Sequence, residues 1–256
     1  MISPQAIVSP QARLASDVEV GPFTVIGADV EIGPGSWIGP HAVINGPTRL
    51  GAQNKVFQFA SIGDAPQDKK YKGEPTRLEV GDRNVFRENC TINRGTAQDH
   101  GVTRIGDDNL FMAYSHVAHD CTVGNNVIFA NCAALGGHVE VGDWVIIGGL
   151  SAVHQFTKIG AHAFLAGGAI VTRDVPPYVM VAGNPAVPHT TNSAGLKRRG
   201  FSEDQIHSIR EAYRILYRMD LKLVDAVAKL TELGETRPDV RAFVDFIQAS
   251  NRSIIR

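Results

Sequence analysis

Two histidines three residues apart, His116 and His119, run directly into a carboxylate, Asp120, within the stretch SHVAHDCTVG at 115–124. An imidazole has an ordinary pKa of about 6.5, so near neutrality it can take a proton from a hydroxyl. A carboxylate beside it fixes the ring's tautomer and stabilises the imidazolium that forms. Further along come Gly137 and His138, then His154 and Gln155. A glycine lets a backbone N–H approach an oxygen closely, which suits an oxyanion. The competing description is a polar outer face with solvated histidines, and a lone His116, His138 or His154 fits that as well as a site.

Whether these residues meet depends on the elements that carry them. Stepping by six from Val8 gives Leu14, Val20, Ile26, Ile32, Ile38, Ile44, Leu50, Val56 and Ile62, all aliphatic. Glycine often follows directly, and a small or β-branched residue stands four places on, as in Ala12, Val18, Thr24, Val30 and Ser36. The pattern breaks at Asp68 and Glu74, returns in phase at Val80, Phe86 and Ile92, and shifts by one residue before resuming from Ile105 to Val171. A period of six is neither helical nor a plain alternation. It fits a short strand and a turn, three to a coil, stacked into a triangular prism with the aliphatics inside. This predicts a parallel β-helix, with glycine permitting the corner conformation.

Residues eighteen apart then stack about one strand spacing, roughly 4.8 Å, from each other. Asp120 stacks with His138, and His119 with Gly137 and then Gln155. The dispersed set thus collapses onto about three consecutive coils of one face. A prism with a filled interior leaves its sites outside, between subunits.

After Val171 the pattern ends at DVPPYV, 174–179. Residues 1–191 are assigned to the β-helix and 192–256 to a small α-helical domain. Ser202 and Gln205 form a capping box. Ile206, Ile209, Tyr213, Leu216 and Tyr217 lie at helical spacing, Leu223, Val227 and Leu230 predict a second helix, and Pro238 opens another. This domain has a small basic excess within a chain of 256 residues whose net charge is only −1. Nothing global points to nucleic acid or an anionic membrane. No apolar run reaches the ~20 residues of a membrane span, and the N-terminus does not resemble a signal peptide. Three cysteines, Cys90, Cys121 and Cys132, without a CxxC argue against a disulfide framework or a cysteine zinc cluster. A soluble cytoplasmic protein with free thiols is expected. A histidine zinc site of the kind some β-helical carbonic anhydrases carry would use His119 and His154, but its third ligand would fall on Ile159, so no metal is expected.

The repeat resembles the hexapeptide-repeat acyltransferases, in which the helix is left-handed. More specific segments are FQF at 57–59, QDKKYKGEPTR at 67–77, AHDCTVGN at 118–125, GGHVEV at 136–141, VHQF at 153–156, DVPPYV at 174–179 and GLKRRGF at 195–201. With them nearly the whole chain resembles the acyl carrier protein–UDP-N-acetylglucosamine O-acyltransferase family, which opens lipid A synthesis. The resemblance implies acyl transfer from acyl carrier protein to the glucosamine 3-hydroxyl of UDP-N-acetylglucosamine by a homotrimer without a cofactor. It implies His119 as general base, Asp120 as its orienting group and the Gly137 N–H as oxyanion donor. His116, His138 and His154 would position substrate, and Gln67, Asp68 and Lys70 would contact sugar and phosphate. Asn131 and Gln155 would lie along the acyl groove, capped at Gly167, where glycine implies a longer 3-hydroxyacyl chain. Asn192, Arg198 and Arg199 would hold the nucleotide; alternatively those same arginines, with Lys197, Arg210, Arg214 and Arg218, suit an acidic carrier. Two positions depart from the family pattern: Ala194 stands where glutamate is common, and Asn93 where histidine is usual. Related sugar acyltransferases and a non-catalytic β-helical scaffold are the rival assignments. The helical tail with GLKRRGF and the absence of regular threonine ladders speak against them.

Overall fold

The computed structural model describes residues 1–256. Strands of two to four residues recur from Ile7–Val8 to Ile170–Val171, each paired in parallel with the strands one coil before and after. They build three sheets of nine, eight and ten strands. The nine-stranded sheet contains His116–Val117, the eight-stranded sheet Thr122–Val123 and the ten-stranded sheet Ile128–Phe129. This is the expected parallel β-helix.

The hexad aliphatics form the interior column. Ile38, Ile44, Val56, Ile62, Phe111, Val117, Ile147 and Val171 are fully buried, each side chain worth ~1.5–3 kcal/mol of transfer out of water. Phe86, Phe111 and Phe129 stack inside at centroid spacings of 4.9 and 4.7 Å. From Val18 on, the position four places after each hexad residue is buried as well. Where it is asparagine it ties coils together: the Asn54 carboxamide oxygen accepts from the Asn84 N–H at 2.9 Å, and that of Asn84 from the Asn109 N–H at 3.0 Å.

Glycine's role differs from the expectation. The left-handed corner residue stands three places after the aliphatic and is mostly not glycine, as at Asp29, Asp120 and His138, with φ of 56°, 58° and 61°. Each such residue costs roughly 1–2 kcal/mol, offset by the parallel ladders its turn allows. The glycine directly after the aliphatic instead provides room. A Cβ on Gly33 would lie 2.6 Å from the carbonyl carbon of Gly51 in the next coil.

The excursions are insertions at one edge. Leu50 pairs with Val80, thirty residues on, and Val80 with Ile105, twenty-five on. An unbroken coil takes eighteen, so the first insertion keeps the hexad phase and the second shifts it by one. Arg94 staples the first loop, donating from Nη1 to the Gly46 and Gly63 carbonyls and from Nη2 to the Tyr71 hydroxyl.

The outer faces differ in chemistry. The eight-stranded sheet carries ion pairs, Arg49–Glu31, Arg104–Glu79 and Lys158–Glu140, at 3.9, 3.1 and 3.2 Å. The ten-stranded sheet directs Val85, Leu110, Ile128, Ile146, Phe164 and Met180 outward, alternating with its buried residues.

Val179–Ala182 and Val187–Thr191 continue the ten-stranded sheet, the last pair antiparallel. Four helices follow: α1 (Ser193–Arg198), α2 (Glu203–Tyr217), α3 (Leu223–Gly234) and α4 (Pro238–Ala249). Ser202 and Gln205 form the expected capping box on α2, and Pro238 opens α4. α2 buries Ile206, Ile209, Tyr213 and Leu216. In α3 Leu230 is buried while Leu223 is exposed. No helix is long and apolar enough to cross a membrane.

Candidate active site

The corner between the nine- and eight-stranded sheets is where the histidine set converges. His116–Val117 pairs in register with Ala134–Leu135, and that strand with Ala152–Val153. Residues 118–120, 136–138 and 154–156 therefore stack as successive corners of one edge. Both insertions leave the prism at this same edge, and a cleft of about 900 Å³ lies between them and the corners. It is lined by Gln67, Asp68, Lys69, Lys70, Gln98, Asp99, His119, His138, Gln155 and Phe156.

His119 Nδ1 lies 2.8 Å from Asp120 Oδ2. An ionised carboxylate only accepts, so Nδ1 carries the proton and Nε2 is left with a lone pair. The Asp120 side chain is wholly buried and held from behind by Thr96, whose N–H and hydroxyl reach it at 2.9 and 2.7 Å. Burial pushes its pKa up, but the bonds from His119 and Thr96, with His138 nearby, outweigh this and hold it below the usual carboxylate range. The Asp120 N–H donates to the Thr103 hydroxyl at 2.9 Å.

Gly137 sits beneath the His119 ring, and its N–H donates to no acceptor within the chain. His138 stands edge-on to His119 at 5.0 Å and stacks on Phe156 at 4.3 Å. His116 projects outward from its strand and bonds the Thr91 hydroxyl at 2.8 Å through Nδ1. Burial lowers its pKa, which keeps it neutral near pH 7. His154 and Gln155 are exposed on the same edge, His154 Nδ1 lying 3.1 Å from the Gln155 carbonyl. Donor atoms of His119, Asp120 and His138 lie within 4.8 Å of one another. Because Asp120 is already committed to Thr96 and His119, this is a hydrogen-bonded dyad more than an open chelate. The third position of the histidine zinc spacing, Ile159, is buried in the core.

Cys121, next to the dyad, is fully buried, donates to the Gly136 carbonyl at 3.1 Å, and has its thiol pushed up to about 12 by burial. It is protonated at any working pH and is no nucleophile.

The other expected site residues lie on other edges of the same chain. Asn131 and Gly167 are exposed on the corner between the ten- and nine-stranded sheets, where a Cβ on Gly167 would meet nothing nearer than the Gly149 carbonyl at 3.5 Å. Asn192, Arg198 and Arg199 adjoin the third corner. Asn192 is buried and caps α1, its carboxamide oxygen accepting from the Gly195 N–H and its nitrogen donating to the His162 carbonyl. Arg198 is exposed. Arg199 lies over Trp144 at 5.2 Å, with Nη1 3.2 Å from His162 Nδ1. Of the two departures, Ala194 is exposed on α1 and Asn93 is buried, donating to the Ala65 carbonyl at 3.0 Å.

Thr96, Gln98, Asp99 and Lys69 escaped the sequence reasoning as site residues. They lie in the insertions, where stacking arithmetic does not reach. Only the coincidence of both insertions at the histidine edge, visible by counting hexads, could have flagged them.

A three-sided coil of hexads with a carboxylate-held imidazole on one edge defines the class of hexapeptide-repeat transferases. A family model described as bacterial transferase hexapeptide (six repeats) matches residues 11–46 and 103–137, and one described as UDP N-acetylglucosamine O-acyltransferase, domain 2, matches 174–255. The latter starts within the end of the prism, before the helices begin. An acyl-[acyl-carrier-protein]–UDP-N-acetylglucosamine O-acyltransferase of Janthinobacterium sp. (strain Marseille) is 57% identical, and one of Thiobacillus denitrificans 55% identical, each over 100% of this chain and 99% of the relative. The solved UDP-N-acetylglucosamine acyltransferase of Francisella novicida superposes with a TM-score of 0.98 at 40% identity, covering 100% of this chain and 94% of the other. A structure from Acinetobacter baumannii gives 0.97 at 44%, covering 100% and 99%. The chain belongs to the acyl-[acyl-carrier-protein]–UDP-N-acetylglucosamine O-acyltransferase family.

Proposed function

We propose that this chain transfers a 3-hydroxyacyl group from acyl carrier protein to the 3-hydroxyl of UDP-N-acetylglucosamine, opening lipid A synthesis. The observation that carries the reading is the His119–Asp120 dyad, with its Nε2 open to the cleft and Gly137 beneath it. His119 Nε2 takes the hydroxyl proton as the sugar oxygen attacks the thioester carbonyl. Asp120, fixed by Thr96, holds the ring and stabilises the imidazolium. The tetrahedral oxyanion accepts from the Gly137 N–H. Collapse breaks the carbon–sulfur bond, and the departing thiolate recovers the proton from His119. Attack is direct, since the nearest thiol, Cys121, is buried and protonated. His116, His138 and His154 position substrate, with Gln67, Asp68 and Lys70 on the sugar and phosphate. No metal or cofactor takes part.

The functional unit is a homotrimer. Two of the three faces direct few charges outward, while the eight-stranded sheet is laced with ion pairs and faces water. Closing the nine-stranded face of one chain on the ten-stranded face of the next puts their shared edge, with Asn131 and Gly167, toward a threefold axis. The His119 edge of one chain then meets the Arg199 edge of its neighbour. Acyl groove and nucleotide contacts that lie apart in one chain are reunited across that interface. The exposed basic side chains of α1 and α2 suit the acidic carrier.

The test is mass spectrometry of a mixture of the purified protein, 3-hydroxyacyl carrier protein in large excess, and UDP-N-acetylglucosamine, beside a His119→Ala control. A hydroxyacyl ester on the sugar nucleotide, absent from the control, is the expected result. No ester, or an ester that persists with His119→Ala, defeats the assignment. Analytical ultracentrifugation should give a mass about three times that of one chain.

A further inference from the structure

The second insertion, 94–101, brings a carboxylate to the site that the hexad pattern cannot place. Asp99 Oδ2 lies 2.6 Å from His138 Nδ1, and its Oδ1 lies 3.3 Å from His100 Nε2. Asp99 is the only hydrogen-bond partner of the His138 ring within the chain. The cleft therefore holds two imidazole–carboxylate pairs, His119–Asp120 and His138–Asp99, with the rings perpendicular at 88°. The second carboxylate comes from a loop, not from the adjoining residue.

An ionised carboxylate only accepts, so His138 Nδ1 carries a proton and Nε2 is the nitrogen turned away from Asp99. Nε2 lies 4.0 Å from Asp120 Oδ2, beyond hydrogen-bond range, and remains free for a substrate atom. The ring's planar face is fixed by Phe156, parallel to within 9°. Stacking alone does not distinguish the ring from its flipped form, which exchanges the nitrogens with carbons. Asp99 supplies that distinction.

We propose that Asp99 is a positioning residue for acyl transfer, fixing the tautomer and the flip of His138 so that Nε2 is presented to substrate. This rests on the reading of His138 as a substrate contact. Through His138 it also sets the wall against which the His119 ring stands, so the two pairs are held in one geometry. A misplacement of about 1 Å in such a group costs on the order of a hundredfold in rate, and a freed ring that still samples the right orientation costs less.

The experiment compares Asp99→Ala, Asp99→Asn, His138→Ala and the Asp99→Ala/His138→Ala double variant in the full-length enzyme. Steady-state kinetics are read with the acyl carrier substrate and UDP-N-acetylglucosamine, and the His138 tautomer by nitrogen-15 NMR. The expected loss in kcat/KM for Asp99→Ala is roughly tenfold, with the Nδ1–H tautomer no longer dominant. Asp99→Asn keeps an acceptor oxygen and should retain the tautomer and most of the activity. In the His138→Ala background, removal of Asp99 should cost nothing further. Equal losses in both backgrounds would assign Asp99 to loop integrity alone and overturn the proposal, as would an unchanged tautomer or wild-type kinetics for Asp99→Ala. A fully active His138→Ala enzyme would sink the underlying reading of His138 and the proposal with it. A costly His138→Ala beside a neutral Asp99→Ala would sink the proposal alone.

Discussion

The imidazole of His119 rests on the α-carbon of Gly137: a Cβ built there would fall 2.6 Å from His119 Cε1 and 2.8 Å from Nε2. In the proposed mechanism the glycine that offers an oxyanion its N–H is thus also the floor of the general base. Gly137 is buried under that ring, but the nearest atoms a Cβ would meet all belong to the His119 side chain, so Gly137→Ala should fold normally while tilting the ring away from Asp120. We expect kcat to fall by roughly a hundredfold with a melting temperature close to wild type. A Gly137→Ala enzyme of full activity would show that the ring has slack.

Thr96 reaches the Asp120 carboxylate with both its N–H and its hydroxyl. Thr96→Val keeps the shape and the backbone bond but removes one donor from a buried charge, which costs about 1.5–3 kcal/mol of stability. The Asp120 pKa should rise toward its ordinary value. That shifts the acid limb of the pH–rate profile upward while leaving KM nearly unchanged. A uniform drop in rate with an unmoved profile would contradict the assignment.

Cys121 lies beside the His119–Asp120 pair in sequence but inside the prism in space. Cys121→Ala should cost about 1 kcal/mol of stability through the small cavity and leave kcat within about twofold, since a thiol this buried is not a nucleophile. Complete loss of activity with an intact fold would reopen a covalent route.

His162 is wedged against Arg199, Tyr178 and Phe201, and burial, with the Arg199 charge beside it and Asp143 opposing, pulls its pKa down to about 4. The unfolded imidazole titrates near 6.5. Between those values the unfolded chain binds more protons, so this contribution is complete above about pH 6.5 and is lost as the pH falls toward 4. Allowing for its partial exposure, the effect is on the order of 1–2 kcal/mol. Urea midpoints of wild type and His162→Gln at pH 7 and pH 4.5 should show a smaller acid loss in the variant. Equal losses would place the acid-sensitive group elsewhere.

Gly167 is exposed with open space above it. If the acyl groove of the trimer ends there, Gly167→Met should shift preference toward shorter 3-hydroxyacyl chains in a competition among loaded carriers. Wild type should prefer the longer ones. A wild-type preference for the shortest chain would place the end of the groove elsewhere, with nearby Phe164 the first residue to examine.

The fold was legible because a hexad aliphatic can point only inward. The eighteen-residue period then placed His119 over Gly137 and Asp120 beside His138 by counting alone. Helix starts at Ser202 and Pro238 were legible for an equally local reason, since caps and a fixed proline φ need no distant partner. Glycine was misjudged because the sequence marks where it occurs but not what stands in the next coil. Only the stacked coils show that it is needed for room while Asp120 and His138 take the left-handed turn.

Sequence by itself determined the prism, its edge of histidines and the pairing of His119 with Asp120, all consequences of periodicity or adjacency. Tertiary structure alone decided which groups stand behind that edge. Thr96 under Asp120 and Asp99 on His138 come from a loop whose path obeys no repeat. It also decided that Asn131, Gly167, Asn192 and Arg199 lie on other edges of the chain. A three-cornered coil separates by geometry what the sequence sets side by side in a list.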